Sequence, residues 1–581
     1  MKKLRKLMSL AWQKDFYPAP EPLPRTRSFW IALALVALAV LIYIIYFSIF
    51  LTTKQDAFKT NGEDLGIMDQ AIWSLLHGSM FHQTICNVLT DTNCYGINGI
   101  YRFAIHFEPI LFPISLFYLI WPDPKTLLIL QVLVVASGAF PAFWLARLRL
   151  RNVWAAVPFA LLYLLYPPQQ YAVNFDFHAE TLTIALLLFA LYFMYTRKTL
   201  WFFVFIVLCL ACKEEIAGIV VMLGLWTLLL QRRWRVGLGL IALALCWTVV
   251  ELTVIHFSSP TGQPLLASRY SYLGNSPAQV ALNILTHPLS MIKAHVLETN
   301  HILYLRKLLA PVAYLPLLAP WVLVLAAPTL ALNLLSSTPN MYSGDYQYNA
   351  EIIPILIFAS IEATVLIVWI ARWFAVSLSM EPEKLALSQE LLERSEEAAN
   401  GTEAAAPARE AQPIPARTRA LSLAYMLQVS ILVLIPCFLL LRVYNSTTEY
   451  NVYSAMPYAH GFIWPHVSAH NKLASHFLDE IPANATVSTQ TSLAPHLSQR
   501  QSIYLFPYAV DHADYILLDA TGYTYPFKNY NDYAATVKTI LRHGNYGVLD
   551  MQDGYILLKR GYPPLNITPA LQMIDDDDHA N

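Results

Sequence analysis

The sequence predicts a mainly α-helical fold: a polytopic transmembrane bundle of about eleven spans, followed by a small extracytoplasmic α/β domain at the C-terminus. Composition supports the bundle, because 56% of the 581 residues are hydrophobic and only 13% are charged, about half the charged fraction of a soluble domain. Long apolar stretches alternate along the chain and give way to amphipathic patterns near its end. The net charge of −1 indicates no nucleic-acid partner.

The N-terminal region sets the predicted orientation. Residues 1–28 are basic and precede Phe29–Leu51, which is long and apolar enough to span a membrane. The positive-inside rule therefore predicts a cytoplasmic N-terminus and an external loop over 52–125. Within this loop, Pro109–Trp121 predicts a helix lying on the outer surface, because a span here would place the basic run Arg147–Arg151 outside.

The remaining chain divides by composition. A transmembrane domain is predicted over 29–375, with two short spans at about 303–318 and 320–335. Residues 376–420 are rich in Glu, Ala, Pro and Arg without apolar periodicity, which is typical of a disordered linker, here cytoplasmic. A last span over 421–443 then places the domain 444–581 outside.

Helical and strand patterns alternate in the C-terminal segment, which predicts a small α/β domain. Helices are predicted at Ala469–Asp479 and Tyr530–Arg542 and strands at Ala485–Thr489, Tyr515–Asp519, Tyr546–Asp550 and Gly554–Lys559. No Gly-rich phosphate loop or nucleophile motif is present there. The acidic run Asp575–Asp578 is expected to be a solvated tail.

Two cysteines in the first external loop are candidates for a disulfide. Cys86 and Cys94 are eight residues apart in a polar segment, and an oxidising compartment would favour their pairing. The other four cysteines lie in apolar runs, where they are expected to be small core residues.

The first polar cluster directly follows the first span. Asp64 begins an amphipathic segment suited to the membrane surface. It is either the cap of that helix or a carboxylate that accepts a proton from a bound hydroxyl group. Asp69 is a solvated helix residue or a supporting acid.

Two further clusters combine histidine and acids. His106 and Glu108 are two residues apart at the start of the predicted surface helix, where they orient each other or simply begin the helix. Asp176, His178 and Glu180 alternate with apolar residues between two spans. These residues are either helix caps or supporting acids of a site, without a fixed metal signature.

The last candidates include the cations. Lys213, Glu214 and Glu215 are three consecutive charges between apolar runs, which either pair with one another or bind a phosphate through Lys213. Arg269 is an interfacial cation or a second phosphate ligand. A polar and aromatic loop that contains Asp345 and Tyr348 is a candidate substrate loop on the same side.

These motifs resemble a known family. Several segments resemble an uncharacterised family of prokaryotic polytopic membrane proteins, DUF2079. They are Glu63–Trp73, His106-Phe107-Glu108-Pro109, Gln131, Gly138–Pro141, Asn174–His178, Lys213-Glu214-Glu215 and Pro495–Arg500. That family in turn resembles the C-type (GT-C) glycosyltransferases. This resemblance implies a location in the plasma membrane of a prokaryote.

The resemblance also implies a reaction. GT-C enzymes transfer a sugar from a polyprenyl-phosphate donor to an acceptor outside the cytoplasm, with an acidic residue in the first external loop. Asp64 matches the position of the catalytic base, Asp176, His178 or Glu180 the second acidic motif, and Lys213 a ligand of the lipid phosphate. The implied acceptor is an envelope glycan, lipid or protein.

Two questions stay open at this stage. A divalent cation, Mg²⁺ or Mn²⁺, would be held by Asp64, Asp176 and His178, or the site would work without metal through Lys213 and arginines. The alternative function is a transporter or lipid flippase without transferase activity. The clustering of charges at one membrane face, rather than at the midplane, favours the transferase.

Overall fold

The computed structural model describes residues 23–86, 94, 96–262, 265–274, 277–287, 290, 297–375, 416–449 and 462–577. Most of the predicted linker 376–420 and Asp578 of the predicted acidic tail lie outside these residues. The described protein is mainly helical, with a small sheet near the C-terminus, so the predicted mainly helical membrane protein is confirmed at this level. The number of spans and their topology stay predictions.

Within the described residues, five helices are long and apolar enough to cross a membrane: Arg27–Asp56, Lys125–Leu150, Trp234–Ser258, Gln347–Ala375 and Ala424–Ser446. The first begins where the Thr26 side chain accepts a hydrogen bond from the backbone N–H of Phe29, as helix N-termini require. The last belongs to a longer helix, Ala416–Glu449. Their apolar faces leave many large hydrophobic side chains exposed, which suits contact with lipid.

The same part of the chain contains five shorter apolar helices: Val153–Leu165, Ala179–Tyr195, Thr199–Leu210, Ile216–Leu229 and Pro320–Leu334. At about 1.5 Å per residue, helices of this length do not cross a hydrocarbon core of about 30 Å unaided. The predicted span 303–318 is not one helix, because Thr299–Leu309 ends before two residues in left-handed conformation, Ala313 and Tyr314. Pro311 and Pro316 lack the N–H that a continuous helix needs.

The loop after the first span is structured. It contains the π-helical turn Gly62–Gly66, the helix Ile67–Leu76 and an antiparallel pair of strands, β1 (His82–Gln83) and β2 (Ile100–Tyr101). The predicted surface helix Pro109–Trp121 is the eight-residue helix Leu111–Tyr118, too short to span.

Shorter α-helices and 3₁₀ turns lie between the apolar helices or form one end or part of them. The α-helices are Pro167–Asn174 and Pro277–Thr286. The 3₁₀ turns are Arg102–Ala104, Ala179–Leu182, Leu265–Tyr270, Ala310–Val312, Leu315–Leu318, Val324–Ala326, Pro339–Tyr342, Gln347–Asn349 and Ala494–His496.

The C-terminal segment forms a five-stranded mixed sheet. Its strands are β3 (Val487–Thr489), β4 (Ile503–Leu505), β5 (Tyr515–Asp519), β6 (Tyr546–Gln552) and β7 (Tyr555–Arg560), in the order β4-β3-β5-β7-β6. The first three are parallel, and β7 runs antiparallel to both β5 and β6. The sequence pattern did not indicate β4, which has only three residues.

Helices cover both faces of this sheet. Ala469–Asp479 buries Ala474 and Phe477 against one face. Tyr530–His543 and Ile567–Asp577 pack on the other face. The predicted solvated tail is thus helical through Asp577, because Ala570 and Ile574 of the same helix are fully buried.

Candidate active site

Asp64 lies in the π-helical turn that follows the first span. The cap of this turn is Asn61, whose side chain accepts a hydrogen bond from the backbone N–H of Glu63 at 2.8 Å. Asp64 therefore does not cap the helix, which removes one of the two interpretations of its sequence position. Its side chain is 19% exposed and lines a cavity.

His178 is the hydrogen-bond partner of the Asp64 carboxylate. Its Nε2 lies 3.1 Å from Asp64 Oδ1, although the two residues are far apart in sequence. The side-chain oxygen of Gln131 accepts the backbone N–H of His178 at 3.0 Å and so fixes the turn. Burial lowers the pKa of His178, but its hydrogen bond to Asp64 and the surrounding carboxylates outweigh burial and raise it. The raised pKa favours an imidazolium beside Asp64.

Asp176 has a structural role beside this pair. Its carboxylate accepts hydrogen bonds from Lys54 Nζ at 2.9 Å and from the backbone N–H of Asn61 at 2.8 Å. Its backbone adopts φ 99°, a conformation that non-glycine residues adopt only when their surroundings hold them there. Asp176 therefore joins the first span and the cap of the Asp64 turn to the loop that carries His178.

The structure does not gather the predicted metal ligands. Asp64 and His178 face one cavity and Asp176 faces another, and Asp176 is engaged by Lys54. Among the residues that the structure describes, the groups of three side chains close enough to share a metal ion do not include this set. In the described residues, Asp64, Asp176 and His178 therefore do not form one ligand group, and a metal ion held by them stays a prediction.

The first cavity, of about 180 Å³, collects most of the other candidates. Predicted residues that line it are Asp64, His106, Glu108, His178, Glu180, Lys213, Arg269 and Tyr348. A cavity of about 150 Å³ accommodates a benzene ring, so this one has room for a monosaccharide ring or a phosphate group. The lining is polar and carries both signs of charge.

Ion pairs occupy most of the charged groups around the first cavity. Arg102 Nε donates to Glu108 at 2.7 Å, and His106 pairs with Glu214 at 2.7 Å. Burial raises the pKa of Glu214, but His106 and Lys213 outweigh burial and lower it to about 2. Glu214 is therefore ionised and paired at neutral pH.

Two of the cavity's cations differ in what they contact. Lys213 pairs with Glu180 and, at 3.1 Å, with Glu215, and its Nζ lies 5.4 Å from the Tyr348 ring centroid. By contrast, no carboxylate in the described part of the chain lies within ion-pair distance of Arg269. Arg269 Nη1 lies 3.6 Å from the Met341 sulfur. The Arg269 guanidinium is thus the cation best able to bind an anionic ligand.

Arg102 is the functional candidate that the sequence did not single out. It lines the first cavity, and its side chain is 8% exposed. The feature of the sequence that could have identified Arg102 is its position, four residues before His106 in the same loop. Glu63 and Gln347 also line this cavity.

Besides Asp176, four predicted acids lie outside the first cavity. Asp69, expected to be solvated or a supporting acid, is fully buried. It accepts hydrogen bonds from Tyr118, Ser498 and Gln499. Asp345 pairs with Lys307 at 2.8 Å and lines the other cavity. Glu214 and Glu215 stand behind the cavity wall as partners of His106 and Lys213.

The C-terminal domain packs directly on the turn that carries Asp64. Thr491 accepts the backbone N–H of Gly62 at 3.1 Å and donates to the Asn61 side chain at 2.7 Å. A Cβ on Gly62 would lie 2.8 Å from the Cβ of Ala494, so only glycine permits this approach. The segment Pro495–Arg500 continues the contact through Ser498 and Gln499.

Cys86 and Cys94 form a disulfide in the structure. Cys86 also lines the first cavity. The bridge therefore ties Cys86 to Cys94, which lies two residues before the lining residue Gly96.

A second cavity, of about 560 Å³, is lined by Asn61, the cap of the Asp64 turn. Its walls come from the first span, the Asp176 loop and the C-terminal domain. Six aromatic rings line it together with polar groups: Phe50, Phe58, Tyr171, Phe175, Tyr346 and Tyr523. Such a lining is typical of small-molecule sites.

The sequence profile of the DUF2079 family, described as a predicted membrane protein, matches residues 54–381 and 406–557. No curated protein sequence matches the chain. Among solved structures, it is similar to ArnT from Cupriavidus metallidurans bound to undecaprenyl phosphate, with 13% identity, a TM-score of 0.49, and coverage of 92% of this chain and 98% of that one. The apo state of ArnT gives 12% identity, a TM-score of 0.46, and coverage of 91% and 97%.

A third similar structure is the archaeal oligosaccharyltransferase AglB from Archaeoglobus fulgidus, in complex with an inhibitory peptide and a dolichol-phosphate. Its identity to this chain is 12%, with a TM-score of 0.38. The alignment covers 92% of this chain and 75% of that one.

Proposed function

We propose that this chain, which belongs to the DUF2079 family of predicted membrane proteins, is a membrane glycosyltransferase. It transfers a sugar from a polyprenyl-phosphate donor to an acceptor at the outer membrane face. One observation carries the proposal: a single cavity joins the Asp64 carboxylate and its partner His178 to Arg102, Lys213 and Arg269. A base and a group of cations facing one space are the parts that glycosyl transfer from a phosphate requires.

Asp64 is the general base of the proposed reaction. Its carboxylate takes the proton of the acceptor hydroxyl as that oxygen attacks the anomeric carbon of the donor. The new glycosidic C–O bond forms while the bond from the anomeric carbon to the phosphate oxygen breaks, and the configuration inverts. His178 holds the carboxylate through its Nε2 contact of 3.1 Å and is a positioning residue.

The cations stabilise the leaving group. As the glycosyl bond breaks, negative charge grows on the polyprenyl phosphate, and cations placed beforehand lower the barrier. Arg269 is available for this contact because no described carboxylate pairs with it. Lys213 and Arg102 line the same space, but each enters the reaction already paired with acids.

The proposed orientation follows from the basic N-terminus. With residues 1–28 in the cytoplasm, the Asp64 turn lies at the outer end of the first span. The last span, 421–443, then leaves the domain 444–581 outside, consistent with its packing on Gly62 and Asn61. The acceptor is accordingly an envelope glycan, lipid or protein.

A transfer assay with matched variants tests the proposal. Purified wild type, Asp64→Asn and Asp56→Asn are incubated with polyprenyl-phosphate sugars and extracted envelope acceptors, and consumption of the donor is followed. Asp56 is the control because it undergoes the same change close by, yet its side chain is 45% exposed and pairs with Lys125. Loss of a general base costs about 100-fold or more in turnover, so we expect donor consumption by wild type and Asp56→Asn only.

The outcomes separate the hypotheses. Full turnover by Asp64→Asn refutes the assignment of the base. Movement of intact lipid-linked sugar across vesicles without cleavage of the glycosyl bond supports the transporter alternative instead.

A further inference from the structure

Three carboxylates that the proposed reaction does not use lie together behind Lys213. Glu180 comes from the turn Ala179–Leu182, Glu215 from the loop before Ile216–Leu229, and Glu351 from the helix Gln347–Ala375. One oxygen of each lies within 4.8 Å of the others. Three separate segments of the chain therefore converge on one point.

The cluster brings together more acidic groups than the neighbouring cations balance. Glu180 and Glu351 are buried and the Glu215 side chain is 13% exposed. Within the ranges that the structure describes, Lys213 is the only cation in ion-pair distance of these acids. With all three carboxylates ionised, one ammonium would leave two negative charges, and buried charge without a counter-ion is strongly unfavourable.

Glu351 points independently to a missing ligand. It is fully buried, and neither of its carboxylate oxygens has a hydrogen-bond partner in the described part of the chain. Buried polar atoms nearly always have such a partner or bind an ion or water. Because a Glu351 oxygen belongs to the group within 4.8 Å, this orphaned carboxylate is aimed into the cluster.

We propose that Glu180, Glu215 and Glu351 bind a hard divalent cation, of the class of Mg²⁺, Mn²⁺ or Ca²⁺. All three ligands are carboxylate oxygens, which these ions prefer, and no histidine or cysteine belongs to the set. Oxygens on opposite sides of Ca²⁺ lie about 5 Å apart and those of Mg²⁺ about 4 Å. The three oxygens lie within 4.8 Å of one another, close enough to surround an ion of either size.

The charge of the ion matches the deficit of the cluster. A divalent cation neutralises the two charges that Lys213 leaves uncompensated. It also takes over from Lys213 as the counter-ion of Glu180 and Glu215, so that the Lys213 ammonium, which lines the first cavity, becomes available to an anion there. Only this last consequence depends on the proposed function, since the metal site stands without it.

Metal binding to the full-length protein tests the site without any transfer assay. The purified protein in detergent is stripped with a chelator and titrated with Mn²⁺, which is followed by electron paramagnetic resonance, and its Tm is measured with Mn²⁺, Mg²⁺ or Ca²⁺. Glu351→Gln and Glu215→Gln each replace one ligand by a neutral group of the same shape. His476→Ala is the control because His476, Glu480 and Asp550 form another, exposed group of possible ligands.

We expect wild type and His476→Ala to bind one buried Mn²⁺ and to gain Tm on addition of a divalent cation. Glu351→Gln and Glu215→Gln should bind at least tenfold more weakly and gain no Tm. The proposal is overturned if wild type binds no divalent cation, if both Gln variants bind as wild type does, or if only His476→Ala loses binding. Should Glu351→Gln fail to fold, Glu215→Gln and the wild-type titration decide.

Discussion

Asp69 offers a sharp test of how the C-terminal domain is joined to the bundle. Its carboxylate is fully buried and accepts hydrogen bonds from Tyr118 at 2.7 Å, Ser498 at 2.5 Å and Gln499 at 3.2 Å. Burial raises the pKa of Asp69 to about 6, although these three hydrogen bonds lower it. The contact therefore prefers a neutral side chain.

The raised pKa determines the sign of the pH dependence. Between about pH 4 and pH 6 the folded protein keeps a proton on Asp69 that the unfolded chain has lost, so this contribution to stability falls as pH rises through that window. A shift of about two pKa units corresponds to about 3 kcal/mol. Above pH 6 the wild type therefore lacks about 3 kcal/mol that a permanently neutral side chain would keep.

The perturbation is Asp69→Asn, since an amide of the same shape accepts from Tyr118 and Gln499 and donates to Ser498. We expect the Tm of this variant to equal that of wild type near pH 4 and to exceed it at pH 8. Asp69→Ala should instead lower the Tm at every pH, because it leaves buried donors without a partner at about 1–3 kcal/mol each. Thermal unfolding of the full-length protein in detergent from pH 4 to pH 8 measures both.

The exposed Asp56, changed to Asn, is the control and should show no such pH-dependent gain. A difference in Tm between wild type and Asp69→Asn that does not change with pH, or that favours wild type at pH 8, would refute the reasoning. The sign of the difference is the decisive readout, because a protein with a bundle and a separate domain need not unfold in one step.

Two further predictions concern the site and its loop. Arg269→Gln should raise KM for the lipid-linked donor about 10-fold to 100-fold, as expected for the loss of a charged hydrogen bond. Arg235→Gln is the control and should leave KM unchanged, because Arg235 is not among the residues that line the cavity. An unchanged KM in Arg269→Gln would remove Arg269 from the donor site. Thiol labelling of the denatured protein should modify four cysteines before reduction, because Cys86 and Cys94 are bridged. After reduction it should modify all six. Six labelled thiols without reduction would contradict the bridge.

Helices and strands could be predicted from the sequence because local hydropathy and charge determine them. The apolar run after residue 28 is a helix from Arg27 to Asp56, and Tyr515–Asp519 is a strand with the predicted bounds. The break in the helix near Pro311 and Pro316 could not be predicted from hydropathy. Apolar composition alone does not distinguish a continuous helix from a series of turns in a buried environment.

The partners of the polar residues could not be predicted from the sequence. His178 lies near Asp64 and Lys54 near Asp176 only because the bundle brings together segments more than 100 residues apart. In the sequence, Asp176, His178 and Glu180 alternate with apolar residues and were candidates either for helix caps or for one site. In the structure they diverge: Asp176 faces the second cavity, while His178 and Glu180 face the first.

By itself, the sequence determined that this is a helical membrane protein with polar clusters in its loops and a small domain at its end, since these features depend on composition and periodicity. The tertiary structure decided which charges meet. It joined Asp64 to His178, left Arg269 without a described acidic partner, buried Asp69 beneath Ser498 and gathered three glutamates behind Lys213. The physical reason is that a charge is neutralised by whatever lies within a few ångströms of it, and folding sets those distances independently of position along the chain.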